Sequence, residues 1–242
     1  MPCSRYLLAA AVFAVSSFTL GTSDAGTIAI GPFRTDTLTA TSAAGAASSP
    51  FTLGYFGNAG INGLVSTAPI ALSNSGTITF QPNLAIPHAG VYSGSVNGIV
   101  TSPFNGTNLG QSNYLAAQPS DNVNINYGLL NTTNTFSLLW GTVDTYNSLQ
   151  LNFFFGSTLL ESLTVTGTEV AKAVGGSFLA NGTTSAFVTI HEGLLQGFDT
   201  VVATSTSSAF EFVPGVSVPE PASAALLGAG LIGIGLRRRK AA

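Results

Sequence analysis

The chain has 242 residues; only 7% are charged, with seven Lys and Arg against ten Asp and Glu, while 45% are apolar. An ordinary soluble domain carries roughly 25% charged residues, so this composition excludes a charge-rich disordered tail, a coiled coil and a basic nucleic-acid binder, each of which needs dense charge. Two basic and nine acidic side chains lie between Gly26 and Leu236, and a body of that sign cannot neutralise a phosphate backbone.

At the N-terminus, Arg5 is followed by an apolar run from Tyr6 to Val15, and Ser23-Asp24-Ala25 then places small residues at the −3 and −1 positions of a cleavage site. This three-part order predicts a secretory signal peptide over residues 1–25, handled by the Sec machinery and cut by signal peptidase after Ala25. The run is too short to anchor the chain comfortably across a bilayer. Cys3, the one cysteine, lies inside this segment, so the mature chain is expected to have no thiol, no disulfide and no Cys-ligated metal.

Residues 26–217 read as strands. Ile78 and Phe80 alternate with Thr77 and Thr79; Val123, Ile125 and Tyr127 alternate with Asn122, Asn124 and Asn126. Leu149, Leu151, Phe153 and Phe155 repeat the pattern, as do Ala186, Val188 and Ile190, and Phe210 and Phe212 flank Glu211. Period-2 alternation of this kind marks half-buried strands. Asn58-Ala59-Gly60, Asn62-Gly63, Asn97-Gly98, Asn105-Gly106 and Asn181-Gly182 punctuate the runs, and Asn-Gly suits the positive φ of tight turns. No window between the two termini sustains helical periodicity; Glu169 to Val174 is a short, ambiguous exception. Many short, one-faced strands without a long linker predict an all-β fold, a single jelly-roll-like β-sandwich ectodomain, and about 190 residues suffice for a self-supporting core. The Thr-x-Thr pairs, such as Thr77/Thr79 and Thr164/Thr166, recur without fixed spacing, which suits β-branched strand filler better than a regular ice-binding face.

The C-terminal segment 218–242 has three parts: Val218-Pro219-Glu220-Pro221, an apolar stretch from Ala222 to Leu236, and the cluster Arg237-Arg238-Arg239-Lys240. As a helix, 222–236 is about 23 Å long, slightly short of a ~30 Å hydrocarbon core, and the basic cluster at 237–240 resists translocation and stays inside. The segment reads as a short transmembrane stop-transfer helix with the body outside. In this tripartite order it resembles the PEP-CTERM sorting signal of Gram-negative bacteria, a short domain also known as an ice-binding-protein C-terminal domain. The resemblance implies recognition near Pro219, Glu220 and Pro221 by exosortase, a membrane-embedded transpeptidase-like enzyme. It also implies placement in the cell envelope, cell surface or extracellular matrix, in association with exopolysaccharide and biofilm. Within the body, Leu138 to Asn147 is similar to a segment of some exosortase-dependent surface proteins, and Phe198 to Val202 and Ser207 to Glu211 resemble terminal strands of such ectodomains; these likenesses imply no activity.

Chemistry-bearing residues are sparse. His191-Glu192 opens like a zinc-protease motif, but position 195 is Leu, so the second histidine is missing; with His88 and His191 as the only histidines, no metal site and no cofactor are expected. Asp121 to Asn126 fails the calcium-loop pattern because Val123 and Ile125 take ligand positions. A structural calcium through Asp144 or Asp199 with loop carbonyls stays open, since such ligands leave no spacing signature. No two of Asp144, Glu161, Glu169, Glu192, Asp199 and Glu211 pair locally for glycoside hydrolysis; Glu211 is expected to face solvent and Glu161 to sit at a strand end. A catalytic site is therefore not expected. Polysaccharide is the alternative partner, through exposed aromatics stacking on sugar rings. Trp140 shares a strand face with Phe136 and Leu138 and reads as core. Tyr146, in a polar turn beside Asp144, is the better ligand contact; Tyr55, Tyr92, Tyr114 and Tyr127 are further aromatics of the body.

Overall fold

The computed structural model describes residues 26–30, 36–50, 52–54, 56–57, 62–72, 75–81, 89–110, 112–128, 132–146, 148–175, 185–193, 196–206 and 209–215. The expected signal peptide, the 222–236 helix, the basic cluster and His88 and Tyr55 lie outside them; among the described residues no helix is long and apolar enough to cross a membrane. The chain forms β1 (Gly26–Ala29), β2 (Thr37–Ser42), β3 (Gly63–Ser66), β4 (Ile70–Ala71), β5 (Thr77–Gln81), β6 (Gly90–Ser93) and β7 (Tyr114–Ala117). There follow β8 (Asn122–Asn126), β9 (Thr135–Trp140), β10 (Ser148–Phe155), β11 (Thr158–Thr166), α1 (Gly167–Ala173), β12 (Ala186–His191), β13 (Thr200–Ser205) and β14 (Phe210–Pro214).

The strands make two antiparallel sheets, one of eight strands in the order β1-β2-β12-β9-β14-β7-β6-β3 and one of six in the order β11-β10-β13-β8-β5-β4. In the last eight strands the neighbours are β7-β14-β9-β12 in one layer and β8-β13-β10-β11 in the other, so the path changes layer at every connection except the β10–β11 hairpin. The helix α1 lies on the crossing from β11 to β12. Thr166 caps it, accepting from the Glu169 N–H while the Glu169 carboxylate accepts from the Thr166 N–H. This reciprocal box satisfies two donors that a helix start otherwise leaves orphaned, and it is why a helix forms in the stretch read as ambiguous.

Alternation decides what lies between the layers. Leu38 and Ala40 of β2, Phe136, Leu138 and Trp140 of β9, and Val188 and Ile190 of β12 meet Ile78, Val123, Ile125, Leu149, Leu151 and Phe153 of the other sheet in one buried cluster. Trp140 is fully buried and packs edge-on against Phe210 with ring centroids 4.4 Å apart. Phe155 departs from its predicted phase: a bulge between Phe153 and Phe154 shifts the register, and Phe155 faces outward.

A second apolar cluster covers the outer face of the eight-stranded sheet. Tyr92, Tyr114, Leu139, Phe187 and Val213 point outward there and are covered by Val100 and Phe104. Turns that need positive φ shape this cover, with Gly98 at +74° and Gly106 at +75°, both in predicted Asn-Gly pairs. The cover corrects one expectation. Glu211 does point to the outer face, but that face is not open to water, and Glu211 is buried.

Trp140→Ala is expected to destabilise the chain by about 3–5 kcal/mol, read by circular dichroism in urea. Trp140→Phe should cost far less, because the indole N–H has no hydrogen-bond partner to lose.

Candidate functional site

Three acids meet at one edge of the sandwich, and each arrives there by strand phase. Asp36 precedes β2 in phase with inward Leu38 and Ala40; Glu192 follows β12 in phase with inward Val188 and Ile190. The strands are registered so that His191 pairs with Thr37, which brings the next residues, Asp36 and Glu192, side by side. From the other sheet, Glu161 on edge strand β11 is in phase with inward Leu163 and Val165. Contrary to the sequence expectation, Glu161 is therefore an inward residue within a strand.

These groups are enclosed. Asp36 and Glu192 are fully buried and Glu161 is 5% exposed. Asp36 Oδ1 accepts the Gly193 N–H at 2.9 Å, but Asp36 Oδ2 and both carboxyl oxygens of Glu161 and of Glu192 have no hydrogen-bond partner. The Asp36 and Glu161 carboxyls lie within hydrogen-bonding reach of each other, a contact that is a bond only when one of them holds a proton. Burial pushes Glu192 up to about 7, with repulsion from Asp36 adding to it. Burial raises Glu161 too, helped by Asp36 and then Glu192. Among the described residues the one lysine or arginine is Lys172, exposed on α1. Such a group stays together only when protons or a cation neutralise it. Sequence reasoning passed over Asp36 entirely, although extending the alternation two residues beyond β2 marks it as inward.

The other candidates are spread over the molecule. Tyr146 is 63% exposed, and the neighbouring Asp144 carboxylate, with partial burial, raises the phenol above its ordinary range. The structure thus brings these two predicted contacts together. Trp140, Tyr92, Tyr114 and Tyr127 are buried. His191 is exposed, with Nδ1 3.4 Å from the Thr135 hydroxyl. Asp199 is buried and spent within the fold, accepting from the Gly156 N–H and the Thr200 hydroxyl. Among the described residues no group of three His, Cys, Asp or Glu could hold a metal ion.

The outer face of the six-stranded sheet is a neutral polar lattice. Register aligns Gln81, Asn122, Thr204, Gln150 and Thr164 in one row across β5, β8, β13, β10 and β11. The next row is Thr79, Asn124, Val202, Asn152 and Ser162. Rows of this kind space amides and hydroxyls about 4.8 Å apart. Asn122 donates to Gln81 and Ser162 to Asn152.

The sorting residues Val218, Pro219, Glu220 and Pro221, the cluster Arg237 to Lys240, and Ala25 lie outside the described residues, but the sequence of the C-terminal end has a counterpart. Residues 217–240 match the PEP-CTERM protein-sorting motif. The motif marks an exported, membrane-anchored surface protein of bacteria and implies a processing partner of the exosortase type. No curated protein and no solved structure matches the chain. The PEP-CTERM motif begins two residues after Gly215, which bonds back into the sheet through its N–H to the Ser137 carbonyl.

Glu211 supplies a test of the buried electrostatics. Burial lifts its carboxyl from 4.5 to about 8, opposed by the Thr101 N–H at 2.9 Å and assisted by Asp144. The folded state then holds the proton more tightly than the unfolded chain, so stability is greatest in acid and falls as pH rises from about 4.5 through about 8. Glu211→Gln should remove a pH-dependent loss on the order of a few kcal/mol. Calorimetric scans from about pH 5 to about pH 9 would show the wild type losing melting temperature more steeply than the variant; parallel curves would refute the assignment.

Proposed function

We propose that this chain is a non-enzymatic envelope or extracellular-matrix protein of a Gram-negative bacterium, whose jelly-roll-type sandwich is presented outside the cell in association with exopolysaccharide. Residues 1–25 direct export and are removed after Ala25. The 222–236 helix and the Arg237–Lys240 cluster then halt the chain in the membrane for exosortase to act near Pro219-Glu220-Pro221. The observation that carries this reading is the match at 217–240 directly behind an all-β body. The interleaved order of the last eight strands is that of two wrapped Greek keys, which supports the jelly-roll assignment.

A second reading, direct carbohydrate binding, is favoured by the neutral lattice on the six-stranded sheet. Amide and hydroxyl groups exchange hydrogen bonds with sugar hydroxyls without the desolvation cost of charge. Tyr146 leads into β10, whose Ser148 continues that face, and offers an exposed ring for stacking. The converging acids Asp36, Glu161 and Glu192 support the non-enzymatic reading because they are enclosed, whereas glycoside hydrolysis requires carboxyls flanking a bound sugar.

A chain ending at Val218 is expected to leave the membrane fraction and be recovered in soluble form, followed by fractionation and immunoblot; retention equal to the full chain would refute the anchor. In pull-downs with the producing cell's own polysaccharide, Tyr146→Ala and Gln150→Ala should each reduce binding several-fold with unchanged circular dichroism. Absence of binding by the unaltered chain would remove the second reading and leave the first standing.

A further inference from the structure

We propose that a groove on the outer face of the eight-stranded sheet, lying across β2, β12 and β9, is a binding site for the sugar units of a neutral glycan. The sequence builds it by changing residue type from one outward row to the next. Register places Thr41, Phe187, Leu139 and Val213 in one row and Thr39, Thr189 and Ser137 in the adjacent one. Phe187, Leu139 and Val213 of the first row are buried beneath the cover that carries Val100 and Phe104. The second row holds only hydroxyl side chains, and all three are half-buried, not covered. Pro50, on the segment between β2 and Leu53, overhangs this part of the face, and Leu53 itself bridges to Gly215 beside Ser137. Between the covered row and the open one lies a groove of about 350 Å³, with Thr39, Thr41, Thr189 and Ser137 as its polar lining and Phe187 and Pro50 as its apolar side.

The lining selects the ligand. A groove of this size falls within the range of small-ligand sites, which combine apolar surface with a few polar groups that fix orientation. None of the described residues lining it is charged, so a phosphate, a uronate or an ammonium group would surrender its hydration without meeting a counter-charge. A purely apolar ligand fails for the opposite reason, because it would cover hydroxyls without bonding them. Those hydroxyls are arranged in pairs, Ser137 with Thr189 at 3.1 Å and Thr39 with Thr27 of β1 at 2.9 Å. A hydroxyl donates once and accepts twice, so each pair keeps one proton and unused lone pairs for a ligand that both donates and accepts. Sugar hydroxyls do both, and the C–H face of a sugar ring suits the side formed by Phe187 and Pro50. An uncharged peptide is the poorer fit: it docks by extending an edge ladder, and β2, β12 and β9 are each bonded on both sides. The inference shares the ligand class of the carbohydrate reading above but rests on the opposite sheet, so the two can fail separately.

The test uses the full chain in a detergent without a sugar headgroup. It is applied to an array of neutral oligosaccharides (glucans, mannans, galactans and xylans) and anionic ones (polygalacturonate and dextran sulfate), and the affinity of the best binder is measured by calorimetric titration. At least one neutral glycan should bind, and the anionic ones should not. Thr39→Val with Thr189→Val keeps the β-branched shape suited to a strand and removes two hydroxyls; this double variant should bind the same glycan at least about fivefold more weakly, with unchanged circular dichroism. Should it fail to fold, Ser137→Gln, which crowds the groove from its outward position, carries the same expectation. Binding to none of the neutral glycans, or equal binding to the anionic ones, would overturn the proposal. Undiminished binding by the folded double variant would overturn it too, and a loss on Tyr146→Ala and Gln150→Ala instead would place the sugar on the six-stranded sheet. A loss confined to the groove variants would uphold this site and remove the one on the six-stranded sheet.

Discussion

Inward phase along antiparallel strands is the constraint from which the molecule follows. Every second side chain of β2, β8, β9, β10, β12 and β13 must fill the space between two layers, and those positions hold Leu, Ile, Val, Phe, Ala or Trp except for Ser42 and Ser205 at strand ends. Burial of this apolar area is the main term favouring the fold. With so few charges in the chain, ion pairs can add little to it. The same phase, carried past the ends of β2 and β12 and along β11, places three acids between the layers at one edge. The core and the carboxylate cluster are therefore products of one rule applied to different residues.

Low charge has a second consequence, on the outside. Without Lys and Glu to make a strand face soluble, the six-stranded sheet is wetted by Asn, Gln, Ser and Thr, which bond one another across strands. The eight-stranded sheet solves the same problem differently: part of its outer face is apolar and is covered by the segment carrying Val100 and Phe104. Covering that face also buries Glu211, whose carboxylate is held by the Thr101 N–H of the covering segment. A carboxyl is thereby enclosed, and burial favours its protonated form against the hydrogen bonds from Thr101 and Thr142.

What was legible in the sequence was local. The alternating runs at 77–80, 123–127, 149–153 and 186–190 became strands with the predicted inner residues, Trp140 became core, and Tyr146 became exposed. Asn97-Gly98 and Asn105-Gly106 became turns with glycine at positive φ. What was not legible depended on contacts distant in sequence. The burial of Glu211 requires knowing that residues some 110 positions earlier lie on top of it. The acid cluster unites residues 36, 161 and 192 through a pairing of β2 with β12 and a facing sheet. Phase alone marks each acid as inward, but not that the three share an edge. The sorting signal was readable because its three parts are contiguous.

The junction between the β body and the sorting motif is itself structural. The sorting motif starts at residue 217, and the last strand before it, β14, is not an edge strand: it is bonded to β9 on one side and β7 on the other. Gly215 continues that bonding to Ser137, and Leu53 bridges to it from a third segment. Any pull applied through the C-terminus enters the sheet through a central strand. Unzipping an edge strand breaks one ladder, whereas extracting β14 must break two and withdraw Phe210 and Phe212 from the core. A protein held at a surface by its tail gains from this placement, because the strand that bears the pull is among those most deeply bonded into the fold.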